Sequence, residues 1–488
     1  MSASGHPARP MVLVMACACL LSAACGARLT PQQRADALSA VRPGTVTSVQ
    51  QSGAPVSGVA PGALADPFAA PSAASIPAGA VAGAPAPASN NAPTAAVRAP
   101  TAPMTPGTGA AGAVGAVDTR PAPPGGNGGA TDKGITETTI TIANVSDVSG
   151  PVPGLFEDAQ LAVKAYVAYF TAREGTVYGR QLRLLALDSR LDTGANRSAS
   201  IQACNEAFAG VGSMSAFDQG GAPVVGECGF PDLRSMSLSG EMKSVATAFP
   251  INPAGSPGER ALGQYGWLAQ RFPEAVKKAA FLFVDGGAVT RELAEEDVLA
   301  TEAFLGYDFV YTAALGITET NYSPFVQQMK SKGVRHVTFV GAYQQAAALA
   351  KEMQRQGFAP DVYAPTVTAY DDDFLAIAGP AAEGTYIAVG TSLNEETAAN
   401  EELQLYASWL DQIEPGAVPT SIGQYAWSAA KLFVEKMKEV GPRPTRKALL
   451  EAMPAVTAYT GGGLLAPANI GGRQLNDCAQ FVQVQGGR

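Results

Sequence analysis

Histidine is almost absent from this chain, with only His6 and His336 in 488 residues. A single histidine beyond the N-terminal segment excludes a His-based catalytic triad, a histidine cluster for zinc and a His-carboxylate metal motif. The serine-rich loops also lack a Gly-x-Ser-x-Gly elbow, and no Walker-type phosphate loop is present. We therefore predict a protein that is not an enzyme and that uses no cofactor and no metal. A hydrolase that works with carboxylates alone stays open as an alternative.

Positive charge is also scarce relative to negative charge. The chain has 33 Lys and Arg against 42 Asp and Glu, for a formal net charge of −9. This acidic balance does not suit a protein that binds nucleic acid.

The N-terminal segment reads as a targeting sequence. His6 and Arg9 precede an apolar stretch, Met11 to Ala24, that is too short to span a bilayer as a mature helix. It could be an ordinary secretory signal, but Leu21-Ser-Ala-Ala-Cys25 resembles a bacterial lipoprotein signal, with Ser22 where such signals usually have Leu. We expect residues 1–24 to be removed, Cys25 to carry lipid, and the protein to lie at the outer face of the cytoplasmic membrane.

Four cysteines remain after such cleavage, in a compartment that permits disulfides. If Cys25 is lipidated, three are left and at least one of them is unpaired. Cys204 and Cys228 are close in sequence and fall on neighbouring predicted helices, which favours them as the pair and leaves Cys478 over.

Residues 25–133 are predicted to be a disordered linker. From about residue 45 this segment is rich in Ala, Pro, Gly, Ser and Thr and nearly free of aromatic and charged side chains. It cannot bury enough apolar surface to offset chain entropy. A coil of roughly 85 residues reaches about 50 Å, enough to hold a folded domain away from a membrane.

The foldable part, residues 134–488, alternates strand and helix patterns. Thr139–Asn144 predicts a strand, and an apolar face recurs through the helix predicted at Phe156–Arg173. The alternation restarts at Ala279–Val284 after a break near Asn252. Parallel α/β sheets bind ligands beyond the carboxyl ends of their strands, so the pattern predicts two α/β lobes with a ligand cleft between them.

Several short stretches follow one another over residues 134–488. They are Gly134-Ile-Thr-Glu-Thr-Thr-Ile-Thr-Ile, Asp147-Val-Ser-Gly-Pro151, Asn321-Tyr-Ser-Pro-Phe, Gly423-Gln-Tyr-Ala-Trp427 and Gly441-Pro-Arg-Pro-Thr-Arg446. Their order resembles that in the substrate-binding proteins of ABC transporters of the leucine/isoleucine/valine-binding type. The resemblance implies two doubly wound parallel-sheet lobes joined by three crossovers, the type I periplasmic binding fold. We expect one lobe at 134–252 and 391–455, and the other at 253–390 and 456–488.

The resemblance also implies where a ligand binds in the first lobe. Hydroxyls and N–H groups after the strands bind a ligand carboxylate in such proteins, and near a helix N-terminus these donors solvate an anion. Each serine could instead be a simple helix cap. The candidates are Ser149, Ser213, Ser215, Ser235 and Ser237.

In the second lobe, Gly341-Ala-Tyr343 matches a Gly-x-Tyr whose ring lies against the ligand in the family. Amino-acid-binding relatives then place an acidic residue after the following strand to pair with the ligand's ammonium group, but here Thr366 occupies that place. Tyr370 and Asp371 follow a few residues later. Either Asp371 or a neighbouring Asp takes the role through a shifted loop, or the ligand has no ammonium group; the acids could also be a solvated helix start.

Taken together, these features predict a monomeric binding protein for a small polar organic solute such as an amino acid, an amide or a related carboxylate. It would deliver the solute to an ABC permease whose ATPase is a separate chain. A ligand sensor for a signalling partner is the alternative, because both classes work by a ligand that bridges two lobes.

Overall fold

The computed structural model describes residues 125–286 and 288–488. The predicted signal segment, Cys25 and nearly all of the predicted linker lie outside the described residues. Within the described ranges, none of the helices combines the length and the apolar character needed to cross a membrane.

The first lobe is built on a four-stranded parallel sheet in the order β2-β1-β3-β4. Its strands are β1 (Thr139–Ser146), β2 (Gln181–Asp188), β3 (Ala209–Val211) and β4 (Asp232–Leu233). β1 is central and alternates Thr with Ile at its start, and both isoleucines are completely buried. β-Branched residues favour such a strand because they pack well on a pleated surface.

Helices cover both faces of this sheet, as parallel strands require. They are α1 (Glu157–Arg173), α2 (Thr193–Glu206), α3 (Ala222–Glu227), α4 (Gly240–Lys243), α10 (Glu401–Ile413), α11 (Ser421–Val440) and α12 (Arg446–Ala452). α1 and α11 pack together over one face, with Tyr166 and Trp427 in edge contact at 4.9 Å between ring centroids. α2 and α3 cover the other face.

The second lobe repeats this plan in the order β6-β5-β7-β8, again with all strands parallel. Its strands are β5 (Ala279–Asp285), β6 (Phe309–Gly316), β7 (His336–Val340) and β8 (Val362–Pro365). Its helices are α5 (Gly263–Arg271), α6 (Ala288–Leu305), α7 (Ser323–Ser331), α8 (Tyr343–Arg355) and α9 (Asp372–Ala378). A short antiparallel pair, β9 (Tyr386–Val389) with β10 (Gln480–Gln483), completes the described strands. The predicted fold class is confirmed.

Three chain segments connect the lobes, near residues 252–262, 390–392 and 471–479. They contact one another: the amide of Asn476 donates to the carbonyl of Pro253 at 3.0 Å, and Gln480 Nε2 donates to Thr391 O at 3.3 Å. These hydrogen bonds connect the three crossovers, which therefore form a single hinge.

Two predicted boundaries differ from the structure. Val456, Leu464 and Ile470 are buried in the core of the first lobe, so the tail joins the second lobe only after residue 470 and not at 456. The domain also begins before residue 134, because Asn127 is buried and the buried Arg180 guanidinium donates to its carbonyl at 2.6 Å. Local periodicity could not reveal either feature, since both depend on contacts between distant segments.

The predicted pairing of Cys204 with Cys228 is confirmed. Cys204, near the end of α2, and Cys228, directly after α3, form a disulfide with Cα atoms 6.6 Å apart.

Candidate ligand-binding site

The two lobes approach each other at the carboxyl ends of their sheets. Phe217, in the loop after β3, lies against the backbone of Gly286, directly after β5: a Cβ atom at Gly286 would be 3.3 Å from the Phe217 ring. Loops that follow parallel strands are the usual ligand-binding positions of α/β sheets. The cleft bounded by these loops is the candidate site.

A buried carboxylate, Asp147, organises the first-lobe side of the cleft. It follows β1 and accepts four hydrogen bonds, from Ser189 Oγ at 2.6 Å, Leu191 N at 3.0 Å, Ser215 Oγ at 3.0 Å and Ala216 N at 2.7 Å. Burial raises the pKa of Asp147, and these hydrogen bonds oppose that shift. Asp147 thereby joins the loops that follow β1, β2 and β3.

A buried ionic group lies beneath the neighbouring loops. The Arg234 guanidinium contacts Asp218 at 3.2 Å and Asp232 at 3.3 Å, and all three side chains are at most 5% exposed. Asp218 also accepts from the amides of Leu238 at 2.8 Å and Ser239 at 3.0 Å. Because Asp218 follows β3 and Arg234 follows β4, this group fixes one cleft loop against the next.

Three of the predicted serines make contacts within the first lobe. Ser213 Oγ accepts from Val145 N at 3.1 Å, Ser215 donates to Asp147, and Ser235 Oγ donates to Gly212 O at 3.0 Å. All three are buried. These bonds give the three hydroxyls a structural role, and their predicted role in binding a ligand carboxylate stays a prediction.

The other two serines differ in exposure. Ser149 is exposed at the end of the β1 loop and donates to the Asp188 carboxylate. Ser237 is buried after β4, and its hydroxyl has no hydrogen-bond partner. The sequence does not predict which of these two serines is exposed, because both stand in similar serine-containing loops after a strand.

On the second lobe, Tyr343 begins α8 directly after the end of β7, as its position in Gly-x-Tyr predicted. Its hydroxyl donates to Asp373 Oδ2 at 3.3 Å. The pKa of Tyr343 is raised to about 12, mainly by burial, with smaller contributions from the carboxylates of Asp373, Asp371 and Asp158. Tyr343 thus lies within electrostatic reach of acids from both lobes.

The remaining predicted residues follow β8. Thr366 Oγ1 donates to Gly341 O at 3.1 Å, and Tyr370 donates to Glu395 Oε2 at 2.7 Å while accepting from Asn394 N at 2.7 Å. Asp371 caps α9 by accepting from Asp373 N at 2.8 Å. Partial burial raises the pKa of Asp371. The hydrogen bond of Asp371 is therefore that of a helix cap. Its charge also contributes to the raised pKa of Tyr343.

Asp158, in the first turn of α1, is a cleft residue that the sequence reasoning missed. Burial raises its pKa from 3.8 to about 6; a hydrogen bond with Thr420 opposes the shift, and the charges of Asp371, Glu157 and Asp373 add to it. Asp158 belongs to the first lobe and Asp371 and Asp373 to the second, so carboxylates face each other across the cleft. Acids are common in a first helical turn because the helix dipole favours them there, so the position of Asp158 in the sequence does not indicate a binding role.

His336 lies away from the cleft, at the amino end of β7. His336 is buried at the start of β7 with its ring 5.4 Å from that of Tyr307, and burial lowers its pKa to about 3. Among residues 125–286 and 288–488 no group of three His, Cys, Asp or Glu side chains is arranged to bind a metal.

Two parallel α/β lobes, joined by three crossovers and facing each other at their strand ends, define the class of two-lobed binding proteins. A family model described as periplasmic binding protein matches residues 139–488. The chain belongs to the periplasmic binding protein family.

Solved structures support this assignment at the level of the fold. The leucine-binding protein LivK of Thermotoga maritima is 14% identical, with a TM-score of 0.60 over 72% of this chain and 97% of LivK. A fatty acid ABC transporter substrate-binding protein of Thermomonospora curvata is 18% identical, with a TM-score of 0.63 over 74% and 92%. LivJ of Streptococcus pneumoniae, solved with isoleucine, is 14% identical, with a TM-score of 0.57 over 71% and 100%. At these identities the similarity shows the fold alone. No curated protein matches the sequence.

Proposed function

We propose that this protein is an extracytoplasmic solute-binding lipoprotein that captures a small polar organic solute between its lobes and delivers it to an ABC importer. The importer's permease and ATPase would be separate chains, and the binding protein would act as a monomer. One observation carries the proposal: the family match spans both lobes and all three crossovers, and loops that follow the strands of the two lobes approach each other. A ligand that contacts both lobes favours the closed form and so signals loading to the permease.

The charges around the cleft support a solute with a positively charged nitrogen group. Asp158, Asp371 and Asp373 approach one another from opposite lobes, and the strongest charges acting on Tyr343 are these carboxylates. Mutual repulsion and burial make this arrangement unfavourable until a cation enters. The hydroxyls of Ser215 and Ser235 already donate to protein acceptors, so a ligand carboxylate has fewer donors than the resemblance implied.

Calorimetric titration of the mature protein tests this ligand class. The panel contains small primary amines without a carboxylate, zwitterionic amino acids including leucine, and simple carboxylates. We expect saturable binding of the primary amines and of the amino acids. We expect no binding of the simple carboxylates, because the acids of the cleft would repel them. Binding of a simple carboxylate, with no binding of any amine, would overturn the proposed ligand class.

The membrane attachment is proposed from Cys25, which lies outside the described residues. A lipid on Cys25 with a long Ala- and Pro-rich tether would keep the binding domain near its permease. One acyl chain binds a membrane only marginally, so the proposal needs the several chains that lipoprotein maturation adds.

We expect the wild-type protein to sediment with membranes and Cys25→Ser to be recovered in the soluble exported fraction. Ser22→Leu serves as the control, because it brings the signal closer to the usual lipoprotein pattern and should leave membrane attachment unchanged. If mature Cys25→Ser still sediments with membranes, the lipid tether is wrong and residues 1–24 act only as a secretory signal.

A further inference from the structure

A small polar cavity lies inside the first lobe, beneath the loops that follow β3 and β4. Its volume is about 10 Å³, the lower limit for holding a single water molecule. Its lining includes the polar side chains of Asn196, Ser200, Ser213, Asp232 and Arg234. The cavity is separate from the cleft site proposed for the solute.

Two oxygens of the lining residues are buried and have no hydrogen-bond partner in the described part of the protein. They are Oδ1 of Asn196 and Oδ1 of Asp232, and both residues are only 3% exposed. The second oxygen of Asp232 contacts Arg234, so one half of the carboxylate is satisfied and the other half is not. Buried polar atoms without partners are rare in native proteins, because leaving them unpaired carries the full desolvation penalty.

The chemistry of the lining decides between possible occupants. Both unpaired atoms are acceptors, so the occupant must supply donors. The Arg234 guanidinium lines the same cavity and repels a metal cation. Ser213 Oγ accepts from Val145 N and therefore has its own hydrogen to donate into the cavity. A molecule with two donor hydrogens and an acceptor lone pair matches this set.

We propose that one ordered water molecule occupies this cavity, donating to Asn196 Oδ1 and Asp232 Oδ1 and accepting from Ser213. Three hydrogen bonds are typical of a buried water. The water links α2, through Asn196, to the ends of β3 and β4, where the cleft loops begin. It also directs the Ser213 hydroxyl into the first lobe and away from the solute.

A high-resolution crystal structure of the mature protein, grown with rubidium as the only monovalent metal ion, tests the proposal. We expect one peak within hydrogen-bond distance of both oxygens and without anomalous signal. An anomalous peak would show a cation, and a missing peak would show either a dry cavity or a direct Asp232–Asn196 hydrogen bond; each of these outcomes overturns the proposal.

Oxygen-17 relaxation dispersion gives a second readout in solution, because it counts long-lived internal waters. Asn196→Leu removes one acceptor and fills part of the cavity, so we expect it to contain one long-lived water fewer than wild type. The exposed Asn321→Leu serves as the matched control and should leave the count unchanged. An equal count in Asn196→Leu and wild type would contradict the proposal; if Asn196→Leu does not fold, the wild-type crystal decides. Neither measurement requires a solute, so its outcome is independent of the proposed function.

Discussion

Replacing Arg234 by methionine is expected to lower the free energy of unfolding by about 3–5 kcal/mol, the usual effect of leaving a buried charge without its partner. Asp218 and Asp232 would face each other with no cation between them, both nearly inaccessible to water. The loops after β3 and β4 would also lose the guanidinium that joins them. Urea unfolding followed by circular dichroism measures the change.

Arg183→Met is the matched control, because Arg183 is exposed on β2 and should change stability little. Adding Asp232→Asn to Arg234→Met should restore part of the lost free energy of unfolding, because it removes one of the two uncompensated charges. If Arg234→Met is as stable as Arg183→Met, the ionic group does not hold the cleft loops in the way described.

Asp158→Asn is expected to change two properties in opposite directions. Amine affinity should fall about thirtyfold to several thousandfold, the range for removing one partner of a desolvated charge pair. The ligand-free protein should become more stable at neutral pH by on the order of 1–3 kcal/mol, because a partly buried carboxylate with a raised pKa no longer has to ionise. Calorimetry and urea unfolding measure the two effects, with the exposed neighbour Glu157→Gln as control.

The pH dependence of these effects follows from the pKa of Asp158, about 6 in the folded protein against 3.8 for the ordinary group. The folded state binds more protons than the unfolded state between these values, so the Asp158 contribution to stability falls as pH rises from about 4 to about 6. Amine affinity should rise over pH 5 to 7 as Asp158 ionises. Both trends should be reduced in Asp158→Asn, and unchanged trends would exclude Asp158 as their source.

The sequence predicted the elements of the fold closely because strand and helix patterns are local. β1 was predicted two residues shorter than observed, and α1 was predicted one residue longer than observed. The tail at Val456 to Ile470 was assigned to the wrong lobe, because its apolar residues could pack equally well on either core and only the hinge path decides between them.

The binding site was harder to predict from the sequence than the fold. The Gly-x-Tyr motif predicted Tyr343 at the cleft, because a residue that follows a buried parallel strand lies at the edge of the sheet. The partners of Ser213 and Ser215 come from β1 and its loop, some 68 residues away, and no local pattern reports them. Asp158 became a cleft residue only through the approach of Asp371 from the other lobe.

The most direct test of solute capture is mass spectrometry of what the protein retains when purified from the cells that export it. We expect one small molecule with a cationic nitrogen group, released on unfolding in a ratio near one to one, and lost from Tyr343→Ala because the proposed site places the ring against the ligand. Gln328→Ala, at an exposed position of α7, should retain it. A protein that retains nothing and binds no member of the amine panel would contradict the account, and a simple carboxylate retained equally by wild type and Tyr343→Ala would contradict both the ligand class and the site.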